Sequence, residues 1–282
     1  MITYNFEDYP GKLFAERGLA TRLRDWGLFV LLLLVSADHR LSFYSMIDVV
    51  STHAFNVIAN LSDEEFQLYV DAIVWGFKHT GRGTPDNALN SVITVVKHMN
   101  EPDGATIAPT FFQYFCLVLL RDIFSVLTDR LHLSQMEAQI QFIREIFMGL
   151  VVRRQMTAAL WESRSAHNAA SSIDVSPPQL QNSSPNSIVD ANIRFVHQYL
   201  VVLLGKSFPT VRQDYITKFV EGLFNPRLLE NPDYYERHIK DFLIQAMEIT
   251  VDLQTLQQNQ AKEQESTTQT STAEAVDAYD DL

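Results

Sequence analysis

The chain has 282 residues, 46% hydrophobic and 11% aromatic, which is enough apolar surface for a sizeable core or an extended helical array. A formal net charge of −12 counts against non-specific binding to nucleic acid, which depends on Lys and Arg neutralising phosphates. The lone cysteine, Cys116, excludes an intrachain disulfide and with it a disulfide-stapled secreted scaffold.

The first feature along the chain is the apolar run "DWGLFVLLLLV", Asp25 to Val35. A membrane span needs about 20 apolar residues; Trp26 to Val35 is far shorter and has Arg22, Arg24 and Asp25 beside it. Ser36 and Ala37 suit a signal-peptidase site, but the leader would be long and would contain Glu7, Asp8 and Glu16.

From here the period is helical. Leu41 to Ile58 reads as one helix through Phe43, Ile47, Val50, Ala54 and Val57. Ser62 and Glu65 form a capping box, Asp63 and Glu64 favour the positive end of the helix dipole, and Phe66, Val70, Ile73, Val74 and Phe77 share one face. Lys78, His79 and Arg82 gather at the negative end, where Gly81 and Gly83 can stop the helix. Pro85 suits the first turn of the next helix, whose face is Leu89, Val92, Ile93, Val96 and Met99.

"TFFQYFCLVLLRDIFSVLTD" is apolar around most of its circumference, as a helix covered on several sides requires, and Cys116 within it reads as a packing residue. Ser134 and Glu137 offer a second capping box before Met136, Ile140, Ile143 and Phe147. Ser163 to Ser187 is rich in Ser, Asn and Pro and reads as an exposed loop. Further helical faces follow: Ile193, Val196, Leu200 and Leu203; Tyr215, Phe219 and Leu223; Tyr235, Ile239, Phe242 and Leu243. From Gln257 large apolar residues thin out and the end is acidic, so residues 257–282 read as a solvated, disordered tail. Short connections make neighbouring helices antiparallel. The fold class is therefore all-α, with periodicity alone leaving open a compact bundle or an α-solenoid of antiparallel HEAT-type helix pairs.

No catalytic, cofactor-binding or metal site is expected. His39, His53, His79, His98, His132, His167, His197 and His238 lack metal-ligand spacing, and a single thiol cannot supply a thiolate cluster. "HTGRGTP" follows a helix, lacks the P-loop pattern and is accounted for as a helix stop. No G-x-S-x-G elbow occurs, so an enzyme is the weaker reading.

Val70 to Arg82, "VDAIVWGFKHTGR", is similar to "VDSIIWAFKHTMR" of the exportin-1 family, nuclear export receptors of the importin-β (karyopherin) superfamily. Phe111 to Asp129 resembles the family's "YQTYFCDILQHIFSVVTD", Val196 to Pro209 its "LQEYVANLLKSAFP", and "KFVEGLFN" with "YYERHIKDFLIQ" its "LFVTGLFS" and "FKEHLRDFLVQ". The matches keep their order and cover most of Asp38 to Gln245. The resemblance implies a C-terminal piece of a HEAT-repeat superhelix that binds leucine-rich export signals together with Ran-GTP and shuttles between nucleus and cytoplasm through contacts with nuclear pore proteins. It implies no direct nucleic acid or membrane contact. Lys78, His79 and Arg82 are candidate partner contacts, and Asp277, Asp280 and Asp281 are candidate regulatory acids. The tail departs from the family beyond Thr250, which puts inhibition by this tail in doubt.

The resemblance also changes the reading of the apolar run. "TYNFEDYP" ends at Pro10 and the family pattern resumes at Asp38, so Gly11 to Ala37 is an insertion. Gly11-Lys12 can be encoded GGT AAG and Ser36-Ala37 TCA GCT, which supply splice donor and acceptor, and we read residues 11–37 as translated intron within an N-terminal segment 1–37. Met1 then corresponds to an internal methionine of the family, with the HEAT region at 38–256. The alternatives left open are a cap over the first helix pair and a membrane-anchored or secreted helical protein that uses residues 26–35 for targeting.

Overall fold

A computed structural model describes residues 36–162, 175–178 and 185–246, and every regular element among them is helical. Helix α1 is Ala37–His53, α2 Phe55–Ile58, α3 Asp63–Phe77, α4 Thr84–Asn100 and α5 Ala108–Leu127. A 3₁₀ turn, Arg130–Gln135, leads to α6, Met136–Phe147, which runs into a π turn, Met148–Val152. A second 3₁₀ turn, Leu160–Glu162, precedes α7, Pro185–Ser207, α8, Gln213–Leu223, and α9, Pro226–Leu229; residues 232–246 form α10.

The start of α3 follows its sequence. Ser62 Oγ accepts the Glu65 N–H, and the Glu65 carboxylate accepts the Ser62 N–H at 3.0 Å, so two orphan donors of the first turn are satisfied. At the other end only Gly83 takes the left-handed conformation, with φ of 79°, and it serves as the N-cap of α4.

The helices stack in two layers. One contains α1, α4 and α6: α4 lies against both others, Asn87 Nδ2 donates to Ser45 Oγ at 2.9 Å, and Asn100 Nδ2 donates to the Glu145 carbonyl at 2.9 Å. The other contains α3, α5 and α7. Phe66 of α3 packs on Phe111 and Phe115 of α5 at 5.9 and 5.8 Å, and Tyr199 Oη of α7 reaches the Leu117 carbonyl of α5 at 3.4 Å. Between the layers, Tyr44 Oη donates to the Ala72 carbonyl at 2.6 Å, and Phe77 meets Phe142. Gly76 lies under the Tyr44 ring, where a Cβ would stand 2.3 Å from a ring carbon. The seam continues through Phe147 on Phe224 and Phe219 stacked on Phe242 at 3.8 Å. Phe77, Phe115 and Phe219 are buried, and each such ring contributes about 2 kcal/mol of transfer free energy. The result is a solenoid segment of antiparallel helix pairs with one continuous core.

Four local expectations are corrected. The first helix is broken at Ala54, whose φ of −134° and ψ of 35° separate α1 from α2 and let Phe55 turn inward onto the His98 ring at 4.3 Å. The box at Ser134 and Glu137 does not form. Asp129 instead caps the 3₁₀ turn by accepting the Leu131 N–H at 3.0 Å, and Gln135, without a side-chain bond, starts α6. Neither glycine stops α3: its C-cap is Lys78 in the right-handed region, Gly81 does not have a positive φ, and Gly83 caps the start of α4 instead. The 163–187 stretch is not loop throughout: α7 begins at Pro185, and Val175 is buried.

Helix α5 and residues 186–207 are long and apolar enough to cross a membrane by composition. In α5 that apolarity faces the array, with Phe112, Cys116, Leu119, Leu120 and Ile123 all buried. The apolar run at 26–35, the insertion at 11–37 and the tail at 257–282 lie outside the described residues.

Candidate functional site

The charged residues singled out at the end of α3 have three different environments. Lys78 Nζ lies 3.5 Å from Asp122 Oδ1 on α5, so its charge is partly committed to an internal pair. His79 turns back into the α3–α4 connection, where Nδ1 accepts the Gly81 N–H at 2.7 Å and the ring rests 4.9 Å from that of Trp75. Arg82 is exposed and forms no ion pair among the described residues.

Asp122 also accepts from Arg121 Nε at 2.9 Å, and this bond raises the arginine pKa further. The same acid thus links α5 to α3 from a nearly buried position. Burial holds the His79 pKa below the ordinary imidazole range, with smaller contributions in the same direction from Arg40 on α1 and His132 in the 3₁₀ turn. Arg40, Arg82, Asp38 and Leu41 line a shallow recess of about 400 Å³ between the start of α1 and the α3–α4 connection.

The end of α3 is therefore a mixed surface, with one free guanidinium, one partly paired ammonium and a half-exposed indole, Trp75. Aromatic and arginine side chains of this kind are the usual anchors of protein–protein contacts. Sequence reasoning missed Arg40, Trp75, Asp122 and His132. Trp75 stands four residues before His79, a local helical spacing, whereas Arg40, Asp122 and His132 are brought near only by the packing of α1, α5 and the 3₁₀ turn against the end of α3. Asp277, Asp280 and Asp281 lie outside the described residues.

No group of three His, Cys, Asp or Glu side chains able to hold a metal ion occurs among the described residues. Cys116 is fully buried, with Sγ 3.9 Å from Met156 Sδ, and burial pushes its thiol up to about 12. It is packed as a small hydrophobe.

Residues 36–251 match the protein family described as CRM1 C terminal. The chain belongs to that family. Exportin-1 of Drosophila melanogaster is 29% identical to it over 250 residues, and Protein EXPORTIN 1B of Arabidopsis thaliana 27% over 250 residues. Both alignments cover 89% of this chain and 18% of the relative. Exportin-1 of Dictyostelium discoideum is 28% identical over 244 residues, covering 86% of this chain. This CRM1 C-terminal chain thus corresponds to about a fifth of the length of those relatives, and all of α1 to α10 falls inside the family match.

Proposed function

We propose that the chain is the C-terminal helical portion of a nuclear export receptor. In this reading it contributes, as a non-catalytic scaffold, to carrying leucine-rich-signal cargo with Ran-GTP past nuclear pore proteins, and it shuttles between nucleus and cytoplasm. The observation that carries this reading is the CRM1 C-terminal match across 36–251, the same span that holds the two-layer array with a continuous core. Such an array works by presenting extended faces to partners. Lys78, His79 and Arg82, joined by Trp75 and Arg40, are the proposed contact patch, and Asp277, Asp280 and Asp281 the proposed regulatory acids.

The test is a chimera in which residues 36–282 replace the matching region of Drosophila melanogaster exportin-1. Retained export of a signal-bearing fluorescent reporter supports the proposal. Loss of export by a chimera that is folded and at normal abundance overturns it. A fluorescent fusion of the intact chain provides a second readout: nuclear and cytoplasmic signal fits, whereas confinement to the endoplasmic reticulum favours targeting by residues 26–35.

We read Gly11 to Ala37 as an insertion of intron origin. Sequencing cDNA across Pro10 to Asp38 tests the intron origin, since transcripts that always retain the insert refute it.

A further inference from the structure

The connection from α3 to α4 is held by a ring. His79 Nδ1 accepts the Gly81 N–H at 2.7 Å, and a Cβ on Gly81 would stand 2.6 Å from His79 Cε1, so the glycine is what lets the imidazole lie over the turn. Accepting at Nδ1 requires that nitrogen to be unprotonated, which puts the ring proton on Nε2. A second proton has only the Nδ1 lone pair to bind, and that lone pair already holds Gly81.

The groups around the ring oppose that second proton. Arg40 of α1 and His132 of the 3₁₀ turn both disfavour a charged His79, and the neighbouring residues in the connection include the cations Lys78 and Arg82. Of the acids on the adjoining elements, Asp122 of α5 is engaged with Arg121 and Lys78, Asp129 with the Leu131 N–H and, at 3.9 Å, His132 Nε2, and Asp38 of α1 lines the recess with Arg40 and Arg82 without a bond to the ring. Arg82 itself is flanked by Gly81 and by Gly83 in the left-handed region, so the backbone on either side is free to swing once the imidazole lets go.

We propose that His79 is a proton-operated latch on the α3–α4 connection. Neutral His79 holds the Gly81 amide and keeps the turn closed. When the ring takes a second proton from solvent, Nδ1 becomes a donor, the Gly81 amide is released, and residues 79–83 open, moving Arg82 away from the recess beside α1. The folded-state pKa of His79 lies below its unfolded value, so the latch contributes stability above the unfolded value and loses it as pH falls through the folded one. The closed state is therefore the neutral-pH state. This inference does not depend on the export reading, because its readout is the turn itself.

The test is amide hydrogen exchange by NMR on the intact chain between about pH 7.5 and about pH 5, with His79 ring ¹⁵N shifts followed in parallel. In the wild type, Gly81 protection, corrected for intrinsic exchange, falls about five-fold in step with His79 protonation, the size of one net hydrogen bond. His79→Asn keeps an acceptor for the amide two residues on, in an Asx turn that does not titrate, and its Gly81 protection stays flat. Gly81→Ala displaces the ring and lacks the protection at both ends of the range. The proposal is overturned if His79 protonates while Gly81 protection holds, if His79→Asn shows the same acid loss, or if Val96 in the middle of α4 loses protection together with Gly81, which would mark general unfolding.

Discussion

Lys78 at the end of α3 reaches across 3.5 Å to Asp122 of α5, a carboxylate only 7% exposed that also accepts Arg121 Nε at 2.9 Å. The two ends of this pair sit in different media. The Lys78 side chain is 44% exposed, so solvent screens its share and Lys78→Ala is expected to cost under about 1 kcal/mol. Asp122→Ala removes the common acceptor and leaves two cations facing each other, with an expected cost of about 2 kcal/mol. Urea unfolding of the two variants checks the asymmetry, and equal costs would contradict it. Any binding defect of a Lys78 variant has to be read against this stability change.

The two capping-box sequences give a paired test. Ser62→Ala removes the acceptor of the Glu65 N–H and a 2.8 Å bond to the Glu65 carboxylate, and should lower stability by about 1 kcal/mol. Ser134→Ala should change it by less than about 0.5 kcal/mol, because Ser134 lies inside the Arg130–Gln135 turn and caps nothing. Thermal unfolding of both variants side by side decides the matter, with a comparable loss at Ser134 being the contrary result.

That contrast marks how far the sequence could be read. Both segments carry the S-x-x-E pattern. At Ser62 the preceding chain leaves the residue extended, with φ of −63° and ψ of 159°, whereas at Ser134 the Asp129 carboxylate has already started a tighter turn upstream. A local pattern states what a residue can do; the turn before it decides whether the backbone is available. Core faces were more legible, since Phe77, Leu89, Ile143, Val196 and Leu223 each belong to a face read from helical spacing in its own helix and all are buried. The break at Ala54 was hidden because apolar spacing runs through it: Phe55 lies off the face expected of one continuous helix, and its contact with His98 shows which way the chain bends. The patch around His79 was half legible. Lys78, His79 and Arg82 are adjacent in sequence, but Arg40, Asp122 and His132 arrive through tertiary packing.

Asn192 is another residue that periodicity would file as an interruption on a helix face. It is fully buried in α7; Oδ1 accepts the Leu160 N–H at 3.1 Å, and Nδ2 donates to the carbonyls of Met156 and Ala158, both at 2.8 Å. One amide side chain therefore satisfies three backbone groups of the irregular segment between the π turn and Leu160–Glu162. Asn192→Leu keeps the approximate volume but strands all three, and should cost about 3 kcal/mol in chemical denaturation. A change below about 1 kcal/mol would mean that water replaces the side chain, and the segment would then be less dry than its burial indicates.

Cys116 separates packing from reactivity. A nucleophilic cysteine needs thiolate and access, and this one has neither: it is fully buried between apolar neighbours, and its thiol is pushed up to about 12. At about pH 8 an ordinary exposed cysteine is partly ionised and reacts readily, whereas Cys116 remains protonated. The folded chain should therefore resist an aromatic disulfide reagent, and labelling should proceed only at the rate of unfolding, becoming fast in denaturant. Cys116→Ala should preserve the fold at a cost of about 1 kcal/mol, the transfer and cavity terms of one small group, while Cys116→Ser should cost more because its hydroxyl is buried beside Met156 Sδ, a weak acceptor. Rapid labelling of the native chain would show that α5 opens locally on that timescale, and the continuous core through Phe112, Cys116 and Leu120 would then have to be divided.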